Sequence, residues 1–145
     1  MASQLLRSRR RAATPVTGAY ASAYSVPITT GSFATPQLSL PIPSAGAYLI
    51  FVKVWVMNAD QSGGNARIDC KLSLPQSGGD LDNSGTTLEP VYGSFATIML
   101  ETAWEFPAAS SVDLYCLTFN NTPAEAANIK MSALRVDALT HAVLP

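Results

Sequence analysis

The chain has 145 residues, 48% of them apolar and only 13% charged, roughly half the charged share of about 25% usual in soluble proteins. That length fits one domain with a real core, two cysteines are too few for a disulfide framework or a structural zinc site, and no apolar run reaches the roughly 18 residues of a membrane-spanning helix. The net charge of −1 hides an asymmetry: Arg7, Arg9, Arg10 and Arg11 supply four of the nine basic residues, and the rest of the chain carries five basic against ten acidic residues, the first of them Asp60.

In chain order, residues 1–34 read as an extended basic N-terminal arm, rich in Ala, Ser and Thr and without a sustained period. Such a segment buries too little apolar surface to offset its own ordering entropy, so order there requires a partner surface. No apolar segment follows RSRRR, which excludes a secretory signal; an Arg/Ser/Ala-rich organellar transit peptide is the rival reading. Residues 35–139 then alternate as strands. TPQLSLPI is short and bounded by prolines, suited to a sheet edge. In AYLIFVKVWVMN, residues Tyr48, Ile50, Val52, Val54 and Val56 form one unbroken apolar face. NARIDCKLSL is the cleanest half-buried pattern: Ala66, Ile68, Cys70, Leu72 and Leu74 alternate with Arg67, Asp69, Lys71 and Ser73.

PQSGGDLDNSG reads as loop and TTLEPVY as a weak strand. SFATIMLETAWEF turns Ala96, Ile98, Leu100, Trp104 and Phe106 inward, and SVDLYCLTFN does the same with Val112, Leu114 and Cys116. NTPAEAAN has the form of one helical turn, with Thr122 as N-cap, Pro123 in the first turn and Glu125 closing a capping box. In IKMSALRVDAL, Ile129 and Met131 share one face while Leu134, Val136 and Ala138 share the other, which a bulge near Ala133 reconciles. Residues 140–145 form a C-terminal tail. Seven or so closely spaced strands with Gly/Pro/Ser turns and almost no helix indicate an all-β, antiparallel two-sheet sandwich.

Opposite the core side, the long strand carries Leu49, Phe51, Trp55 and Met57, and the later one carries Tyr115, Leu117 and Phe119. Left in water, these would form a large apolar patch. Loops or the arm cover them, or they are a subunit interface; aromatic and Met enrichment favours the interface.

LPIPSAGAYLIFVKVWVMNADQSGGNARIDCKLSL, SVDLYCLTF and NIKMSALRVDAL together resemble the TNF-like, complement-head-like jelly rolls of bacterial and phage structural proteins. The likeness lies in a Pro-x-x-Gly-x-Tyr start, a long apolar strand, strands bearing the two cysteines and a closing Asn-x-Lys-x-x-Ala-x-x-Val strand. It covers residues 36–139. The resemblance implies a jelly roll of two four- or five-stranded sheets, trimers about a threefold axis, and no catalysis; such modules serve as fibre heads, capsid decoration proteins, spore-surface filaments or ligand-binding heads. This chain lacks the signal peptide and collagen-like stalk of secreted members, which favours a virion part.

Candidate chemistry is sparse. Cys70 and Cys116 fall on neighbouring strands facing the core, and are either a disulfide closing a loop of about 46 residues or two buried thiols; cytoplasmic assembly tilts the reading to thiols. Asp80, Asp82, Ser84 and Gly85 match the first positions of an EF-hand loop, but Val91 stands where its bidentate Glu belongs, so an Asx/Gly turn is expected and no metal. Asn120–Thr122 is a formal glycosylation sequon in a turn. His141 is the only histidine and lies in the tail, leaving nucleophiles in the domain without an imidazole base; Glu101 and Glu105 are a conceivable carboxylate pair but read as surface acids. The chain is therefore expected not to be an enzyme and to need no cofactor.

The arginines, with Leu5, Leu6, Tyr20 and Tyr24 as apolar anchors, read as a partner-docking arm whose guanidiniums pair with carboxylates of another protein; solvated disorder is the plain alternative. An acidic body argues against nucleic acid as a partner, and no membrane is expected. The combined expectation is a non-enzymatic virion protein assembled in the host cytoplasm. It would be a trimeric jelly-roll capsid decoration (cement) protein or tail-fibre head of a bacteriophage, held by its arm to a capsid or tail protein. A ligand- or glycan-binding head is the alternative.

Overall fold

The computed structural model describes residues 18–75, 78–119 and 121–139, which form nine strands and no helix. One sheet has the order β1 (Gly18–Pro27), β9 (Ala124–Val136), β4 (Gly46–Asn58), β7 (Phe95–Phe106). The other has the order β2 (Thr29–Thr30), β8 (Ser110–Thr118), β5 (Ala66–Ser73), β6 (Asp80–Leu88), with β3 (Leu38–Ile42) also on β8. All pairings are antiparallel except the two-residue β2–β8 contact. The fold is an all-β jelly-roll sandwich. Pro41 sits on β3, at the sheet edge where its missing N–H costs nothing.

Side-chain alternation builds the core from both inner faces. Tyr48, Ile50, Val52, Val54 and Val56 of β4 meet Ile68, Cys70 and Leu72 of β5 and Leu114 and Cys116 of β8, all buried. The Tyr48 ring packs edge-on against Phe106, centroids 5.8 Å apart, and its hydroxyl bonds to Ser44 at 3.2 Å, so its one polar atom is satisfied. Where the sheets' edges meet, the Glu101 N–H on β7 donates to Asp82 Oδ2 on β6 at 2.8 Å. Gly46 opens β4 with φ +142°; a Cβ there would stand 2.8 Å from Arg135 Nε.

Four expectations are corrected. First, residues 18–30 are not arm: Gly18–Pro27 pairs with β9 throughout, and Ala19, Ala21 and Ala23 pack against the core. Alternating alanines carry period two with little hydrophobicity, which hid the strand. Second, there is no helical turn at 122–125; β9 starts at Ala124, with Ala124 and Ala126 buried, and the Thr122 hydroxyl donates to the Asn65 carbonyl at 3.0 Å instead of capping a helix. Pairing between two neighbouring strands overrides the local capping signal. Third, the β9 bulge lies at Asn128, not Ala133: Asn128 has φ +48° and the β4–β9 register slips between Lys53 and Trp55, so Ile129, Met131 and Ala133 all point inward. Fourth, DLDNSG is strand β6 along the sheet edge rather than a loop.

The turn after β4 is tightly tied. Buried Asn58 donates to the carbonyls of Gly64 and Glu89 and accepts from the Asp60 N–H. The Asp60 carboxylate accepts from the Ser62 hydroxyl and from the N–H groups of Ser62 and Gly64, which together hold its pKa below the ordinary value.

Candidate functional site

The outer face of the β1–β9–β4–β7 sheet concentrates the uncovered apolar side chains. Its cross-strand rows follow from the register. One row runs Tyr20, Ser132, Phe51, Glu101; the next runs Ser22, Lys130, Lys53, Met99; beyond them Trp55 pairs with Thr97 and Met57 with Phe95. Tyr20, Tyr24, Phe51, Trp55, Phe95 and Met99 are all exposed, from 40% at Trp55 to 81% at Tyr24. Trp55 and Phe95 stack with centroids 5.9 Å apart and planes 25° apart, making a flat aromatic step. Between Phe51, Leu49 and Glu101 lies a shallow depression of about 380 Å³.

Charge on this face is arranged in an unusual way. Lys53 and Lys130 are direct cross-strand partners, a juxtaposition that costs stability in a sheet. Among the described residues neither has a carboxylate within ion-pair distance. The acids Glu101 and Glu105 stand on β7, the sheet's edge strand.

The structure divides the expected subunit interface in two. Leu49, Phe51, Trp55 and Met57 lie on this face, with Leu49 and Met57 half-buried. Tyr115, Leu117 and Phe119 belong to the other sheet, on the opposite outside of the sandwich, so the seven residues make no single patch. Leu117 is moreover buried, at 5% exposure, beside Thr29 of β2, and is withdrawn from the surface by its own chain. Tyr115 is half-buried; desolvation first, and then the Asp113 carboxylate it hydrogen-bonds, push its pKa up. Phe119 is exposed and lies against Arg67, the guanidinium carbon 4.8 Å from the ring centroid.

Of the expected docking arm, Leu5, Leu6, Arg7, Arg9, Arg10 and Arg11 lie outside the described residues, as does the tail from residue 140. Tyr20 and Tyr24 are outward residues of β1 and belong to the aromatic face. Phe95 and Met99 are not among the residues the sequence singles out, although the alternation that turns Ile98 and Leu100 inward also turns them out. Trp104, read as inward, is 41% exposed at the end of the sandwich, beside an apolar cleft of about 270 Å³ shared with Leu74 and Pro107.

Cys70 and Cys116 face each other in the β5–β8 ladder, fully buried, with Cα atoms 4.0 Å apart, and are joined by a disulfide. The thiol reading is thereby corrected. Neighbouring strands placed both side chains on the core face at one register position, which the sequence could not fix.

No protein-family model and no curated protein matches the chain. Solved structures share its fold. The structure of Eiger TNF from S. frugiperda superposes with a TM-score of 0.55 at 10% identity, over 91% of this chain and 100% of that one. A chain in the structure of infectious bursal disease virus, Gx strain, gives a TM-score of 0.51 at 10% identity, over 84% of this chain and 33% of that one. The protein is thus similar in fold to TNF-like and viral jelly rolls.

Proposed function

We propose that the protein is a non-enzymatic structural jelly roll of a virion, assembled as a homotrimer through the outer face of the β1–β9–β4–β7 sheet. Residues 1–17, with Arg7, Arg9, Arg10 and Arg11, hold it to a larger particle protein of capsid or tail. This is the arrangement of a phage decoration protein or fibre head. The single observation that carries the reading is the aromatic face itself. Seven large side chains, Leu134 of β9 among them, stand exposed there around two lysines that have no counter-ion among the described residues, and a monomer gains nothing from either feature. A rotated copy supplies both remedies, burying the Trp55–Phe95 step and setting the edge carboxylates Glu101 and Glu105 against Lys53 and Lys130. The shared fold with a viral chain supports the virion setting.

Sedimentation of the purified protein tests this directly. A trimer is expected, and Phe51→Ser with Trp55→Ser should dissociate it while leaving the chain folded. Deleting residues 1–17 should preserve the trimer and abolish particle attachment. A monomer at tens of micromolar concentration overturns the assembly reading, and attachment that survives the deletion overturns the anchoring reading.

A further inference from the structure

The outer face of the other sheet is built differently. It holds a groove of about 690 Å³ along β5 and β6. The outward side chains of β5 are Arg67, Asp69 and Lys71, the first and last of them long. Their cross-strand partners on β6 are short: Thr87, Gly85 and Asn83. The height difference makes a trough, and at its middle the Asp69 carboxylate lies over Gly85, in the space a Cβ would take. Phe33, carried by the segment between β2 and β3, contributes an aromatic wall and lies against Lys71, whose Nζ is 4.5 Å from the ring centroid.

Charge in the trough cancels. Lys71 pairs with Asp80 at 2.8 Å, and Arg67 lies 3.7 Å from Asp69. The four groups sum to zero, so neither an anion nor a cation gains a field there. Hydrogen-bonding capacity is left over, however. Among the described residues, the Asp69 carboxylate, the Asn83 amide and the Thr87 hydroxyl make no side-chain hydrogen bond. Acceptors and donors thus alternate across the ladder beside one aromatic ring.

We infer that this trough is a binding site for a neutral oligosaccharide. Small-molecule pockets are ordinarily mostly apolar with a few polar groups; here the lining is mostly polar, which suits a ligand that is itself a ring of hydroxyls. Each hydroxyl both donates and accepts, matching Asp69 with Asn83 and Thr87, and the apolar C–H face of a sugar ring fits flat against Phe33. The inference stands on the β5–β6 face alone and is independent of the assembly assigned to the opposite sheet.

The test is a panel of immobilised neutral oligosaccharides built from glucose, mannose, galactose and N-acetylglucosamine, with sialylated and sulfated glycans as charged comparators, followed by calorimetry on the best binder. At least one neutral glycan is expected to bind, and no charged comparator more tightly. Gly85→Thr, which displaces the Asp69 carboxylate, and Asp69→Ala, which removes the acceptor, should each weaken binding at least tenfold, the latter at unchanged melting temperature. Phe51→Ser on the far sheet should leave it unchanged. If Gly85→Thr does not fold, Asn83→Ala replaces it with the same expectation. Binding to no neutral glycan, tighter binding of a charged one, or affinity indifferent to the trough variants overturns the inference. A monomer that binds sugar sinks the trimer and spares this site; a trimer blind to sugars does the reverse.

Discussion

Lys71 and Lys53 both sit mid-strand on an outer face, one on each side of the sandwich, and their surroundings diverge. Lys71 has Asp80 at 2.8 Å and the Phe33 ring at 4.5 Å, both supplied by its own chain. Lys53 has another lysine opposite it and exposed aromatics to either side along its strand. The same period-two pattern wrote both faces. What separates them is whether other segments of the chain return to finish the surface. Residues 31–37 run beside β8, the Cys70–Cys116 bond ties β8 to β5, and β6 adds a carboxylate; nothing comparable among the described residues crosses the outside of β4. One face is finished by its own chain, and on the proposed assembly the other is left for a neighbour.

If that division is right, the largest single loss on the finished side comes from the disulfide. Replacing Cys70 and Cys116 together by Ala releases a loop of sequence separation 46 in the unfolded chain. It should cost about 4 kcal/mol by loop-closure entropy. Urea denaturation of the variant against the parent measures this, and association through the aromatic face should stay as it was. Association lost in parallel with stability would mean that the two faces are not independent.

A smaller effect is expected at Gln37. Between the end of β2 and the start of β3 the edge of β8 has no ladder partner, and the Cys116 N–H donates to the Gln37 side-chain carbonyl instead. Both residues are buried. Gln37→Ala removes that bond and should cost about 0.5–1.5 kcal/mol. Hydrogen exchange sharpens the assignment: the Cys116 amide should lose protection ahead of its neighbours on β8.

How much of this was legible depended on how strongly each strand signals by itself. AYLIFVKVWVMN and NARIDCKLSL display the core side without ambiguity, because bulky apolar residues alternate with charged ones. GAYASAYS holds the same alternation in alanine, too small to stand out, so an edge strand reads as arm. DLDNSG is written in turn residues and becomes a strand only because β5 offers it a partner. The bulge was expected from the change of phase but misplaced, although Asn128 is the residue type that tolerates positive φ. Outward direction could be read for Phe51 and for Leu117 alike; that they lie on opposite outsides depends on sheet order, which no local pattern encodes. For the same reason the trough was invisible, since it needs Phe33 brought beside Lys71 and Gly85 set opposite Asp69.

The Lys53–Lys130 pair gives the finest discrimination, because solvent exposure and a neighbouring copy predict different outcomes for one substitution. Lys53→Glu turns a repulsive cross-strand pair into an attractive one, and should stabilise the isolated chain by roughly 0.2–1 kcal/mol. In the assembly the same glutamate would confront the edge carboxylates of the adjoining copy, so association should weaken, more steeply at low ionic strength than at high. Thermal melting of dilute monomer reads the first effect and sedimentation at two salt concentrations reads the second. Opposite signs are expected. A chain stabilised with association unchanged would place Lys53 in open water, and pairing Lys53→Glu with Glu101→Lys should restore association only if those two positions meet across the interface.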